Sequence, residues 1–309
     1  MNILVTGASG LLGSAFARTA ARHGHRVVGA VGRHVGAIEG AATTLAVDLT
    51  DEMATQAAVL EIFPEAIVNC AAISEPAACD ADPARSAAMN VALPAAFARL
   101  AHHVSARFVH ISSEQVFDGA RTTRYAVGDP VSPINLYGRQ KVASERAVLA
   151  AAPELAAIVR APLLMGNSPG GRRGVHERLF ADWAAGRAAR LYIDEFRQPC
   201  TAENLAAVLL ELTERADLCG LFHWAGAELV SRHELGRRVR EHFKLSEQNA
   251  PIVAVTRAET PDAAKQRQAC LALDLAPLAG ELKTQPETIA EQLSCLKVPA
   301  ACRDWHQSV

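Results

Sequence analysis

The chain reads as an α/β fold: a doubly wound parallel sheet with helices on both faces and a smaller C-terminal lobe. Three observations predict it. Short apolar runs of strand length alternate with helical stripes over residues 1–160. The first two runs are joined by closely spaced glycines and a helix, which is a βαβ unit. No internal repeat or low-complexity linker breaks the pattern.

Asn2–Thr6 is a buried strand by its length and its glycine flank. Gly7, Gly10 and Gly13 follow and open a helix over 11–23, with Leu12, Ala15, Phe16 and Thr19 on one stripe and Gly24 as the stop. Arg26–Val31 is the second strand. The alternation continues with a strand over 44–47, a helix over 51–63 and a strand over 66–70. A helix over 83–103, a strand over 107–111, the helix Leu136–Ala151 and a strand over 155–160 come next. Beyond Arg160 the texture changes. Residues 162–174, rich in Gly, Pro and Arg, read as a loop. They precede a helix over 176–189, a short strand over 191–193, a helix over 203–215, a strand over 220–224 and a helix over 231–243. We expect 1–160 to form the dinucleotide-binding domain, with elements from about 190–215 returning to it, and 161–309 to be mostly a substrate-binding lobe.

Bulk composition narrows the function. Half of the residues are hydrophobic, and the formal charge is −2, so no nucleic-acid or acidic-membrane surface is expected. Arg172–Arg173 and Arg237–Arg238 read as solvated surface pairs. The seven cysteines are scattered, with no CxxC, so neither a disulfide framework nor a zinc site is indicated. The histidines lack metal spacing and read as structural or surface residues. Met1 leads straight into an apolar strand, and no run approaches the ~18 apolar residues of a membrane helix. The expectation is a cytoplasmic protein without a metal.

Chemistry gathers in two places. At Gly7-x-x-Gly10-x-x-Gly13, glycines let the backbone turn tightly and approach a pyrophosphate at a helix N-terminus, the mark of a Rossmann-type fold. The second strand ends Gly29-Ala-Val-Gly-Arg33-His34 without the acid that would take a ribose 2′-hydroxyl. Arg33 can pair with a 2′-phosphate, and NADP(H) is favoured, with NAD(H) left open. Asp48 is a candidate for the adenine side. Asn69-Cys70-Ala71-Ala72 either lets the ribose and nicotinamide pass closely or simply packs the core. Asn90 either braces a neighbouring strand end or caps locally.

The second place is Val109 to Lys141. Tyr137 and Lys141 lie four apart, hence on one helix face. Lysine is rare here: of 31 Lys plus Arg, Lys141 is the only Lys before residue 244. A Tyr followed four later by Lys arises by chance about 5% of the time at this composition. A surface helix pair is the bland alternative. Reduction of a carbonyl needs a proton donor at the nascent alkoxide. Tyr137 fits that role if the Lys141 charge lowers its pKa. Ser113, or less favourably Ser112, would hold the carbonyl oxygen, unless these serines only cap the strand end.

TGASGLLG at 6–13, VNCAA at 68–72, ISSEQVFDG at 111–119 and LYGRQK at 136–141 together resemble an extended short-chain dehydrogenase/reductase. VFDG and DEFRQPCTAENLA at 194–206 bring it nearer the dTDP-4-dehydrorhamnose reductase group. LFHWAG at 221–226, SRHELGRRV at 231–239 and RQACLALD at 267–274 are also similar to the regulatory beta subunit of methionine adenosyltransferase. The resemblance covers roughly residues 1–295. It implies that Gly7, Ser9, Gly10, Leu11, Leu12 and Gly13 hold the pyrophosphate, and that Arg33 meets the 2′-phosphate. It further implies that Asp48, Leu49, Cys70, Ala71, Ala72 and Asn90 line the cofactor site, and that Ser113, Tyr137 and Lys141 form the catalytic set. Ser74, Glu114, Gln115 and Leu163 would face the substrate. Three departures stand out. Glu114-Gln115 replaces the Asp-Tyr of the rhamnose pattern, Leu163 replaces an aromatic residue, and Arg267-Gln268 replaces an Arg-Pro near the C-terminus. The implied activity is NADPH-dependent reduction of a nucleotide-linked keto sugar, with a homodimer left open. A dinucleotide-loaded regulatory subunit without turnover and a sugar-nucleotide epimerase are the alternatives. A dehydratase ranks low, because Gln115 breaks the acid pair such enzymes use.

Overall fold

The computed structural model describes residues 1–32, 34, 36–261 and 265–309. Its first half contains β1 (Asn2–Thr6), α1 (Leu11–Arg22), β2 (Arg26–Val31), β3 (Thr43–Ala46), α2 (Glu52–Ile62) and β4 (Ala66–Asn69). Short helices α3 (Pro76–Ala81) and α4 (Pro83–Ala87) lead through a π-helical turn, Ala88–Ala92, into α5 (Leu93–His103). β5 (Arg107–Ser113), α6 (Leu136–Ala151) and β6 (Ala156–Ala161) follow. The second half adds β7 (Leu164–Met165), α7 (Val175–Ala184), β8 (Ala189–Tyr192), β9 (Phe196–Arg197), β10 (Cys200–Thr201) and α8 (Ala202–Glu214). It continues with β11 (Gly220–His223), β12 (Val230–Ser231), α9 (Arg232–His242), β13 (Ile252–Val255) and β14 (Cys270–Leu271).

Seven strands form one parallel sheet in the order β11-β6-β5-β4-β1-β2-β3. The order reverses between β1 and β4, and ligands of such sheets sit in the crevice at that switch. Alternation along each strand supplies two apolar faces. Ile3 and Val5 join Val68, Val109 and Val159 under Phe16 of α1 and Leu205 and Leu209 of α8. Leu4, Ile67, Phe108 and Ile158 face the other way, under Phe97 of α5 and Val148 of α6. Each fully buried Leu or Phe in these layers contributes about 1.5–3 kcal/mol. A separate core, with Met165, Phe180, Trp183, Leu235, Val239 and Ile289, fills the lobe beyond β6.

Four expectations are corrected. The helix expected over 83–103 is interrupted. Pro94 has no N–H for the carbonyl four residues back, and the turn ahead of it widens to a π register that turns Asn90 inward. The helix expected over 176–189 stops at Ala184, because Gly186 takes φ +70° and the chain then enters β8. β5 runs two residues further than expected and carries both serines. The returning elements do not end near 215: β11 pairs with β6 and completes the main sheet. Among the described residues no helix is long and apolar enough to cross a membrane.

Candidate active site

The glycine turn sits at the switch point. Gly7 takes φ +63°, and a β-carbon there would stand 2.9 Å from the Ala71 backbone. The turn therefore packs directly on the end of β4, and this is how Cys70 and Ala71 come to line it. Gly13 lies so close to the turn that its β-carbon would meet the Gly7 carbonyl oxygen at 2.3 Å. Gly10 N donates to Gly7 O at 2.8 Å. α1 starts with Gly10 as its N-cap, no side chain caps it, and no acid lies in its first turn. Its first N–H groups are thus available to an anion, and the donor set fits a dinucleotide pyrophosphate. Leu11 and Leu12 are buried beneath the turn, while Ser9 is half-buried at its tip.

Around this turn the other cofactor-side residues divide. Asp48 is exposed and accepts from Thr50 N and Thr50 Oγ1 at 2.9 and 2.7 Å, and the adjoining Leu49 is buried. Ala72 is exposed beyond Ala71, as is Ser74. The Cys70 thiol is pushed up to about 12 by burial, partly opposed by Lys141, so it is no nucleophile at neutral pH. Asn90 does not present its amide to the crevice. Its Oδ1 accepts from Ile73 N, and its Nδ2 donates to Ile73 O and Gln140 Oε1, each at 2.9 Å. It therefore acts as the brace for the chain leaving β4. Arg33 lies outside the described residues.

At the end of β5, successive serines part company. Ser112 Oγ donates to Glu145 Oε1. Ser113 hydrogen-bonds Tyr137 and accepts from Gln115 N at 3.2 Å. Tyr137, Lys141 and Glu145 follow at successive four-residue steps on α6. Asn135 caps this helix, its Oδ1 accepting from Gly138 N at 2.8 Å. Gly138 is required for the close approach: a β-carbon there would stand 2.2 Å from Gln115 O. The helix can thus lie against the turn that follows Ser113 and bring Tyr137 to it.

The expected influence of Lys141 on Tyr137 is not what the geometry gives. Burial pushes the Tyr137 phenol up, above its usual range, and the Ser113 hydrogen bond only partly offsets this. Lys141 is 2% exposed, its Nζ donates to Ile111 O at 2.8 Å, and it lies 5.7 Å from the Tyr137 ring centre. Burial lowers the ammonium to about 8, with Glu145 opposing. It remains mostly charged at pH 7.

Sequence reasoning missed the ionic roof above Ser113. Glu114 is buried and faces Arg197 at 3.3 Å. Arg197 also meets Glu195 at 3.4 Å, and Glu195 pairs with Arg267 at 2.8 Å and Arg232 at 3.8 Å. Burial pushes Glu114 up to about 8, against the pull of Arg197, and among the described residues its buried Oε2 has no hydrogen-bond partner. Leu163 closes this corner through its backbone, which hydrogen-bonds Glu114. Gln115 turns aside, its Oε1 accepting from Asn135 Nδ2 at 2.9 Å. Two further networks went unread. Thr6 Oγ1 donates to Asn69 Oδ1 at 2.6 Å, and Asn69, His110 and Ser144 continue the chain across β4, β5 and α6. Burial holds His110 well below its ordinary value, so it stays neutral. Beyond Ser112, Arg160 grips Glu145 with two bonds of 2.9 and 2.8 Å. Among the described residues no group of three metal-ligating side chains converges.

The geometry agrees with what comparison finds. The model of the family described as RmlD substrate binding domain matches residues 1–296. The chain belongs to this family. As a family member it has the extended short-chain dehydrogenase/reductase fold. It is 31% identical to the probable low-salt glycan biosynthesis reductase Agl14 of Haloferax volcanii, over 99% of each chain. It is 32% identical to a dTDP-4-dehydrorhamnose reductase of Mycolicibacterium smegmatis, covering 77% of this chain and 68% of the relative. It is 30% identical to methionine adenosyltransferase 2 subunit beta of Xenopus laevis, covering 78% and 72%. Among solved structures, a dTDP-4-dehydrorhamnose reductase of Clostridium acetobutylicum overlays with a TM-score of 0.81 at 23% identity, over 95% and 97%. One from Bacillus anthracis, in complex with NADP, overlays at 0.80 with 20% identity, over 94% and 95%. These two establish likeness of fold.

Proposed function

We propose that the chain is an NADP(H)-dependent reductase of a nucleotide-linked keto sugar. The observation that carries this is the convergence of Ser113, Tyr137 and Lys141 beside an uncapped glycine turn at the sheet's switch point. A bound nicotinamide would supply the hydride. The remaining chemistry belongs to the protein. Tyr137 holds a proton on its phenolic oxygen throughout the neutral range and can give it to the oxygen as that oxygen gains charge. The Ser113 hydroxyl accepts from Gln115 N and can turn its own proton to the same oxygen. Lys141, with its Nζ 5.7 Å from the Tyr137 ring centre, would be the cation at hand when the phenolate forms, although in the resting chain burial outweighs it.

NADP(H) is supported by the sequence Gly29 to His34, which has Arg33 and no acid. The keto-sugar class is supported by the reductase names of the relatives from H. volcanii and M. smegmatis. The lobe that residues 161–309 build outside the main sheet would roof the sugar, with Glu114, Leu163 and Ser74 at its edge. The test is NADPH oxidation against a panel of nucleotide-linked keto sugars. Tyr137→Phe should cut turnover by about 10²–10⁴ while leaving NADPH affinity unchanged. Unaltered turnover in that variant would overthrow the mechanism. A regulatory subunit is the second reading, favoured by the X. laevis relative. Stable capture of a partner enzyme, with no turnover on any sugar, would select it.

A further inference from the structure

Residues 166–174 form a flap from the second half of the chain that reaches back to the glycine turn. Its ends touch: a β-carbon on Gly174 would stand 2.4 Å from Gly166 O, and Gly166 takes φ +132°. The buried Glu177 carboxylate holds the flap from within. It accepts from Ser168 N, Ser168 Oγ, Arg173 N and Gly174 N at 2.7, 2.7, 2.8 and 2.7 Å. Asn167 fastens the outer edge, donating to Cys295 O at 2.9 Å and accepting from Lys297 N at 2.8 Å. A segment pinned at so many points holds its backbone in place, and Arg173 stands exposed on it.

The Arg173 Nη1 lies 3.6 Å from the point where a β-carbon on Gly10 would stand. Among the described residues no carboxylate pairs with this guanidinium, although Arg18, Arg160, Arg197, Arg215 and Arg237 each have one. The turn does not need a cation for its own closure, because its backbone bonds already close it. Two sets of donors therefore lie close together: the uncapped N–H groups opening α1, and a guanidinium that reaches the Gly10 side of the turn.

We propose that Arg173 clamps the pyrophosphate of the dinucleotide from across the glycine turn. This rests on the dinucleotide reading above, though not on the choice of NADP over NAD, since both carry the same pyrophosphate. A guanidinium can take two phosphate oxygens at once, and such charge-assisted bonds are the stronger kind. Binding would then tie the flap to α1 and slow cofactor release.

The test is calorimetric titration of the whole chain with NADP⁺ and with NAD⁺. Arg173→Ala should weaken whichever dinucleotide binds by about tenfold, Arg173→Lys by less, and Arg172→Ala, equally exposed but with no contact to the turn among the described residues, hardly at all. In the wild-type chain, NADP⁺ or NAD⁺ should also slow tryptic cleavage after Arg173. Equal affinity of wild type and Arg173→Ala would overturn the clamp and leave the cofactor reading standing. Failure of the wild-type chain to bind either dinucleotide would overturn both.

Discussion

Glu114→Gln offers a sharp test of the roof above Ser113. In the folded chain the carboxyl is buried, with no hydrogen-bond partner for one oxygen among the described residues, and is pushed up from 4.5 to about 8. At about 1.4 kcal/mol per tenfold change in proton affinity, ionising it costs on the order of 5 kcal/mol more in the folded chain than in the unfolded one. The sign follows from the folded pKa being the higher. The stabilising contribution is complete below about 4.5, where both states are protonated, and is lost as pH rises through about 8. Glutamine imitates the neutral acid and does not titrate. Urea unfolding of both proteins across pH 5 to 9.5 cancels every other titrating group in the difference. The variant's advantage should grow by about 1.4 kcal/mol per pH unit and level off above about 8. A difference that stays flat would mean that Arg197 keeps Glu114 ionised throughout, and the argument from burial would be wrong.

Two other outcomes are expected. Gly13→Ala places a β-carbon 2.3 Å from Gly7 O, so the turn must part from α1. Dinucleotide affinity should fall at least about tenfold by calorimetry, whereas Gly128→Ala, with open space around it, should change nothing. Arg160→Met leaves the buried Glu145 charge without its partner and should cost about 3–5 kcal/mol in urea unfolding. The double variant Arg160→Met/Glu145→Leu should recover most of that loss, and if it does not, the pair is not isolated from the rest of the core.

What the sequence discloses is local. β1, β2 and α6 can be read to the residue, the two strands because glycines flank them. The Tyr137–Lys141 spacing and the glycine turn are likewise carried by neighbours in the chain. What stays hidden is carried by residues far apart. Glu114, Glu195, Arg197, Arg232 and Arg267 come from four segments, and none of them has a spacing that marks an ionic cluster. Arg172–Arg173 reads as a surface pair, and only the fold brings Arg173 over Gly10. The π turn at Asn90 is signalled by Pro94, yet the apolar stripe runs on through it and masks the signal. The effect of burial on Tyr137 is not legible either: the neighbouring cation is obvious in sequence, while the loss of water around the phenol is not.

The seventh strand has a consequence for synthesis. β6 is complete at Ala161, but the strand that covers its free edge ends at His223, and α8, which covers one face of the sheet, lies between them. At ribosomal rates of about 5–20 residues per second, these roughly 60 residues take about 3–12 s to emerge. For that time the nascent chain shows an unpaired strand edge and an uncovered apolar sheet face. A product truncated near Ala161 would keep both, and aggregation rather than an independently folded cofactor-binding fragment is the expected fate.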